Sequence, residues 1–212
     1  MRVAKLTLFI FMLLLIPSFV NAATMEELPP YITVEGIDSE KYEIDKTITS
    51  DQVIIDIKER DGSLYYSWSF DKKKVGETID LNFELDFVSE KQSEIDAIAN
   101  ENNDKTYLSF THHGNLPSRA TINVYVGNRY KEGEKLYLYY YNEERDVIEY
   151  VDNGLKVKNG YVEFKIDHCS EYFLTAAVVN NAEGNPKSMN YIIGILAVIV
   201  IGLLGVNLFF KK

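Results

Sequence analysis

The chain has 212 residues, with 22 Lys and Arg against 32 Asp and Glu, for a formal net charge of −10. Hydrophobic residues at 46% and charged residues at 25% are globular values, which excludes wholesale disorder. The acidic balance argues against binding a phosphate backbone, so no nucleic-acid partner is expected, and a single Cys excludes an intramolecular disulfide.

The N-terminus has the layout of a secretory signal peptide over residues 1–22. Arg2 and Lys5 form a basic start, an apolar run spans Leu6 to Ile16, and Pro17 breaks it. Val20-Asn21-Ala22 then places small or short residues at the cleavage positions, so cleavage is expected after Ala22. The run is too short for the roughly 20 residues that a spanning helix needs.

Residues 23–179 are expected to form the exported domain. Period-two alternation dominates it, which is the signature of half-buried strands. Val53, Ile55 and Ile57 alternate with Ile54, Asp56 and Lys58; Leu64, Tyr66, Trp68 and Phe70 alternate with Tyr65, Ser67 and Ser69. Ile79, Leu81, Phe83, Leu85 and Phe87 form one wholly apolar face opposite Asp80, Asn82, Glu84 and Asp86. Ser89 to Gln92 reads as a capping box, and it predicts a short helix over 90–100 lying across one end of the sheets. Further strands are predicted over 107–112, 120–126, 135–142, 147–151, 161–166 and 172–179. Turn signals stand at Asp61-Gly62, Gly114-Asn115, Asn153-Gly154 and Asn159-Gly160. Some ten strands with one connecting helix predict a mostly β fold, an antiparallel Ig-like β-sandwich.

After this domain, residues 180–190 are polar and read as a flexible tether. Residues 191–210 are free of charge and apolar, long enough for one transmembrane helix, and Lys211 and Lys212 close the chain as a cytoplasmic basic tail. The expected topology is single-pass, with the ectodomain outside the cell membrane. All 32 acidic residues lie within 23–186, while five of the 22 basic residues lie outside it. The exported part therefore carries a net −15, which predicts repulsion of anionic polymers.

From Leu108 the order of segments resembles a β-sandwich module of secreted surface proteins of Gram-positive bacteria, clostridia included. The resemblance rests on Leu108 to Pro117, Ala120 to Val126, Leu136 to Asn142, Gly160 to Phe164, and His168-Cys169-Ser170-Glu171-Tyr172. Such modules end in a strand opened by H-[FC]-S-x-Y. The resemblance implies location and architecture rather than activity. Asn185-Pro186-Lys187-Ser188, ahead of the apolar stretch, resembles an NPxT-type sortase signal, with Ser188 in place of Thr. Two fates thus stay open: a retained helix, or transfer to the cell wall.

Few residue sets carry chemistry. His112, His113, His168 and Cys169 lack zinc-ligand spacing. Asp167, His168 and Ser170 are too close in sequence for a serine triad, and no GxSxG elbow exists. Residues such as Asp80 and Asn82, two apart on a strand, lie about 6.6 Å apart, too far to share one calcium ion. No metal site, cofactor or enzymatic activity is therefore expected. Tyr137, Tyr139 and Tyr141 share one strand face, and if that face points outward it forms an aromatic platform for a glycan or protein ligand. The expected function is adhesion, interaction or envelope structure at the cell surface. The alternatives are a ligand-binding sensor or accessory subunit of a membrane complex.

Overall fold

Alternating β-branched and aromatic residues build ten strands and one helix in the computed structural model, which describes residues 31–99, 104–127 and 129–184. The expected signal peptide, the Asn185–Ser188 motif and the apolar span lie outside the described residues, and no described helix is long and apolar enough to cross a membrane. The strands are β1 Tyr31–Glu35, β2 Tyr42–Ile48, β3 Gln52–Glu59, β4 Leu64–Asp71, β5 Thr78–Asn82 and β6 Leu85–Asp86. After helix α1, Gln92–Ala99, come β7 Lys105–Tyr125, β8 Lys135–Asn142, β9 Val147–Lys156 and β10 Tyr161–Thr175.

The main sheet runs β2-β3-β4-β7-β10-β8-β9, with β6 also on β7, and every pairing in it is antiparallel. Strands β1 and β5 form a separate parallel pair, a departure from the antiparallel expectation. This is a mostly β fold with antiparallel sheets and one helix, consistent with a β-sandwich.

The two long strands organise it. The C-terminal half of β7 pairs with β4 and with the N-terminal half of β10, whereas its N-terminal half pairs with β6 and the C-terminal half of β10. Four predicted strands thus become two. Gly114-Asn115 is not a turn; it lies within β7, between two register shifts where β7 runs through more residues than β10. Asn153-Gly154 likewise falls inside β9, beside its own register irregularity with β8. In both cases the turn dipeptide marks a bulge, which bends a strand without ending it. Asn159-Gly160 does close a hairpin, with both residues at positive φ as a type I′ turn requires.

The predicted strand 79–87 splits in two, because the chain leaves β1 and joins β7. Phe83 N–H still donates to Glu35 O, and at Leu85 the pairing passes to Phe110. Alternation survives the change of partner, so Ile79, Leu81, Phe83 and Leu85 all stay buried. The Phe83 carbonyl that the switch frees accepts from Trp68 Nε1 at 3.2 Å and Tyr66 Oη at 3.3 Å, as a buried acceptor must. Around it Trp68 meets Phe83 and Phe110 edge-on, at 5.4 and 5.3 Å between ring centres. The main core joins these rings to Val53, Ile55, Ile57, Ile122, Val124 and Phe164. Each fully buried side chain of this size contributes about 1.5–3 kcal/mol.

Helix α1 does not lie across an end of the sheets. Its Ile95 and Ala99 cover the second face of β7, β10 and β8, over Tyr107, Phe173 and Tyr139. Those three and Tyr150 stand in register across four neighbouring strands. Asp96 of the helix accepts from Lys105 Nζ at 2.8 Å and Tyr107 Oη at 2.6 Å, which ties α1 to β7.

Residues 180–183, expected as tether, belong to the fold. Glu183 exchanges backbone hydrogen bonds with Ile148 and Tyr150 at 2.8 Å, and Ala182 is buried.

Candidate functional site

The aromatic platform expected from Tyr137, Tyr139 and Tyr141 is not open. Alternation places all three on one face, but α1 and residues 179–182 cover it, leaving Tyr139 0% and Tyr141 4% exposed. Tyr139 Oη accepts from Val179 N–H, and Tyr141 Oη donates to Asp146 Oδ1 at 2.8 Å. That carboxylate acceptor, with burial second, pushes the Tyr141 phenol up to about 12. Tyr137 alone keeps a partly open ring, with Lys135 Nζ 5.2 Å from its centre.

The motif His168-Cys169-Ser170-Glu171-Tyr172 marks the bend of β10. Register shifts occur between Ile166 and His168 and between Cys169 and Glu171. Even-numbered residues point into the core up to Ile166, Cys169 then points inward, and even numbers resume from Tyr172. Each residue of the motif supports this path. The His168 ring meets Tyr140 edge-on, and its carbonyl accepts from Tyr172 Oη. Cys169 is a core residue whose thiol burial pushes up to about 12, so it is no thiolate nucleophile at neutral pH. Ser170 lies near enough to the Tyr140 phenol to oppose the upward push that burial gives it. Glu171, buried, accepts from Ser89 Oγ at 2.6 Å and Ser109 Oγ at 2.7 Å, joining the start of α1 to the sheet.

Among the described residues no group of three or more His, Cys, Asp and Glu side chains is placed to hold a metal ion. The acidic row on 80–86 does not converge either. Asn82 Oδ1 accepts from Glu84 N–H, and Glu84 Oε2 accepts from Thr111 Oγ1.

Interaction chemistry gathers instead on the outward face of β3, β4, β7 and β10, which periodicity marked only as polar. One row in register is Ile54, Ser69, Thr121 and Lys165; the next is Asp56, Ser67, Asn123 and Glu163. Tyr125 and Tyr161 follow as a ring pair with centres 5.2 Å apart. Small hydroxyl side chains in the middle strands leave a shallow polar trough between longer flanking ones. A groove of about 400 Å³ lies at one end, lined by Ser69, Lys73, Arg119, Thr121 and Lys165 among others. A second, of about 500 Å³, lies at the other, lined by Asn123, Lys156, Lys158, Asn159 and Tyr161.

Charge on this face is uneven. Burial raises the Asp56 carboxyl above its ordinary range; Lys58 opposes the shift and Asp45, its cross-strand partner, adds to it. Arg119 binds Asp167 through Nε and Nη2 at 2.8 and 2.7 Å, a bidentate pair that lowers the Asp167 pKa and raises that of Arg119. The part-exposed Ser69, Thr121 and Asn123 side chains and the exposed Lys165 suit hydrogen bonding to an extended polar ligand, while Ser67 is buried.

Neither the groove residues nor Glu171 and Asp96 stood out in the sequence. The approach of Lys73 and Lys74 to Arg119 and Lys165 depends on the order of strands β4, β7 and β10. No protein-family model, no curated protein and no solved structure matches the chain.

Proposed function

We propose that this chain is a non-enzymatic binding module displayed on the surface of a Gram-positive cell. In this reading the N-terminal segment exports it, the apolar segment 191–210 anchors it, and the polar trough contacts a surface glycan or protein. The observation that carries the reading is the pair of in-register rows, Ser69-Thr121-Lys165 and Ser67-Asn123-Glu163, with a groove at each end. The anchoring sequence supports display, and the Ig-like resemblance of the second half supports the class of module. Because the folded body extends to Glu183, only a few residues separate it from the apolar segment. At up to about 3.5 Å per residue, they hold the module within roughly 25 Å of the bilayer.

Chemical cross-linking on intact cells tests this. The native chain is expected to capture a cell-surface or wall component. Ser69→Trp combined with Thr121→Trp fills the trough and lowers that capture severalfold at an unchanged surface level. Equal capture by the filled variant overturns the trough as the contact site.

A further inference from the structure

The exported domain is strongly acidic, yet one groove on it is basic. Four of its lining side chains are cationic: Lys73 and Lys74 in the turn after β4, Arg119 on β7 and Lys165 on β10. Two are anionic, Asp51 and Asp71, so four positive against two negative charges leave the lining at a formal +2. Asp71 accepts from Lys73 N–H at 3.0 Å and pairs with Lys74 Nζ at 3.4 Å, while Asp51 accepts from Ser50 Oγ at 3.0 Å. Arg119 is held by Asp167. The ammonium groups of Lys73 and Lys165 are in no ion pair among the described residues, and both residues are exposed.

Geometry adds selectivity. Ser69, Thr121 and Lys165 stand in register on three adjacent strands, so the floor is about 10 Å across, two strand spacings. Two hydroxyls and the Gln52 amide line it beside the ammonium groups. That combination pairs donors for an oxyanion with partners for neighbouring alcohol groups.

The net charge of the domain does not veto an anion here. At physiological ionic strength the Debye length is about 8 Å, so a ligand seated in the groove feels chiefly the groove's own charges.

We propose that this groove binds a phosphate ester of a sugar or polyol, as carried by a soluble or wall-borne polyol-phosphate chain. The ester oxygens would sit between Lys73 and Lys165, with the polyol over Ser69 and Thr121. This assignment rests on the surface-binding reading above and names the ligand of one end of the trough.

The test titrates the isotope-labelled full chain, in micelles of an uncharged detergent, with glycerol 3-phosphate and separately with glycerol, following amide chemical shifts. Saturable shifts at residues 69–74, 119–121 and 165 with the phosphate ester, and none with glycerol, are expected. Lys73→Gln with Lys165→Gln weakens the binding at least about tenfold, because both charge-assisted contacts to the ester oxygens are lost. Lys131→Gln with Lys135→Gln, away from the groove, leaves it unchanged. Both variants replace exposed side chains, and an unaltered spectrum outside the substituted sites shows that each is folded. Absent shifts, or equal weakening by both pairs, overturns the phosphate-ester assignment. Response to phosphatidylglycerol vesicles alone also overturns it, in favour of a lipid headgroup. Neither result touches trough-dependent capture on cells, which is read separately.

Discussion

The Tyr172 hydroxyl donates to the main-chain carbonyl of His168, four residues earlier in the same strand, at 2.9 Å. In a regular strand those positions lie about 13 Å apart along the axis. The contact exists because β10 shifts register between Ile166 and Glu171 and bends there. The bend lets one strand serve both halves of the main sheet, and Tyr172 fastens it while its ring meets Phe110 edge-on. The motif His168-Cys169-Ser170-Glu171-Tyr172 thus has a mechanical reading.

Tyr172→Phe should preserve the packing and remove the fastening. The part-buried His168 carbonyl then loses its side-chain donor, at a cost of about 0.5–1.5 kcal/mol. Urea unfolding monitored by Trp68 fluorescence measures it; an unchanged midpoint would show that the hydroxyl contributes nothing to the bend.

The Asp96 latch should be acid-sensitive. Burial pushes its carboxyl up, but hydrogen bonds from Lys105 and Tyr107 outweigh this and leave it below the usual value. Because the folded pKa is the depressed one, the stabilisation is present above the unfolded pKa of about 3.9 and fades as pH falls through the lower folded value. Asp96→Asn should cost about 1.5–3 kcal/mol at neutral pH, since it removes the charge-assisted hydrogen bond between Asp96 and the deeply buried Lys105 ammonium. It should also flatten the dependence of Tm on pH below about 4. A variant with the native acid profile would exclude Asp96 as its source.

Tyr139 and Tyr137 should respond very differently to Ser. Tyr139 is fully buried beneath α1, so Tyr139→Ser is expected to lose about 3–5 kcal/mol. Tyr137→Ser, at the margin of the same cluster, should lose about 1 kcal/mol or less. Comparable losses would contradict the covering of this face.

Gly36 should not tolerate a side chain. Its φ is +78°, and an added Cβ would lie 1.9 Å from Asn82 Oδ1, the acceptor for Glu84 N–H. Gly36→Ala is expected to cost at least about 1–3 kcal/mol, read by thermal unfolding. Full stability would mean that the β1 exit can take another path.

Cys169 should resist alkylation in the native protein and react only on unfolding, because its buried thiol titrates near 12. Rapid labelling by iodoacetamide under native conditions would contradict its place in the core.

Much of the strand content was legible before the structure. Alternation located β3, β4 and β8 almost to the residue, because those strands keep one face on the core throughout. It was silent on β1 and on β2, whose side chains are mostly exposed. It divided β7 and β10, since Gly114-Asn115 and the motif at 168–172 interrupt period two as a turn would. Local sequence does not distinguish a bulge from a turn; pairing with a neighbouring strand does.

Sequence by itself determined the acidic, disulfide-free composition, the two apolar ends, the mostly β character and the pairing of residues to strand faces. Only tertiary structure decided which faces meet water. The tyrosine face of β8 is closed by α1 and by residues 179–182, and the open face with its basic groove is assembled from β4, β7 and β10. The physical reason is range. Side-chain alternation follows from the pleat of a single strand, whereas burial and charge clustering depend on strand order, which joins residues as distant as Lys73 and Lys165.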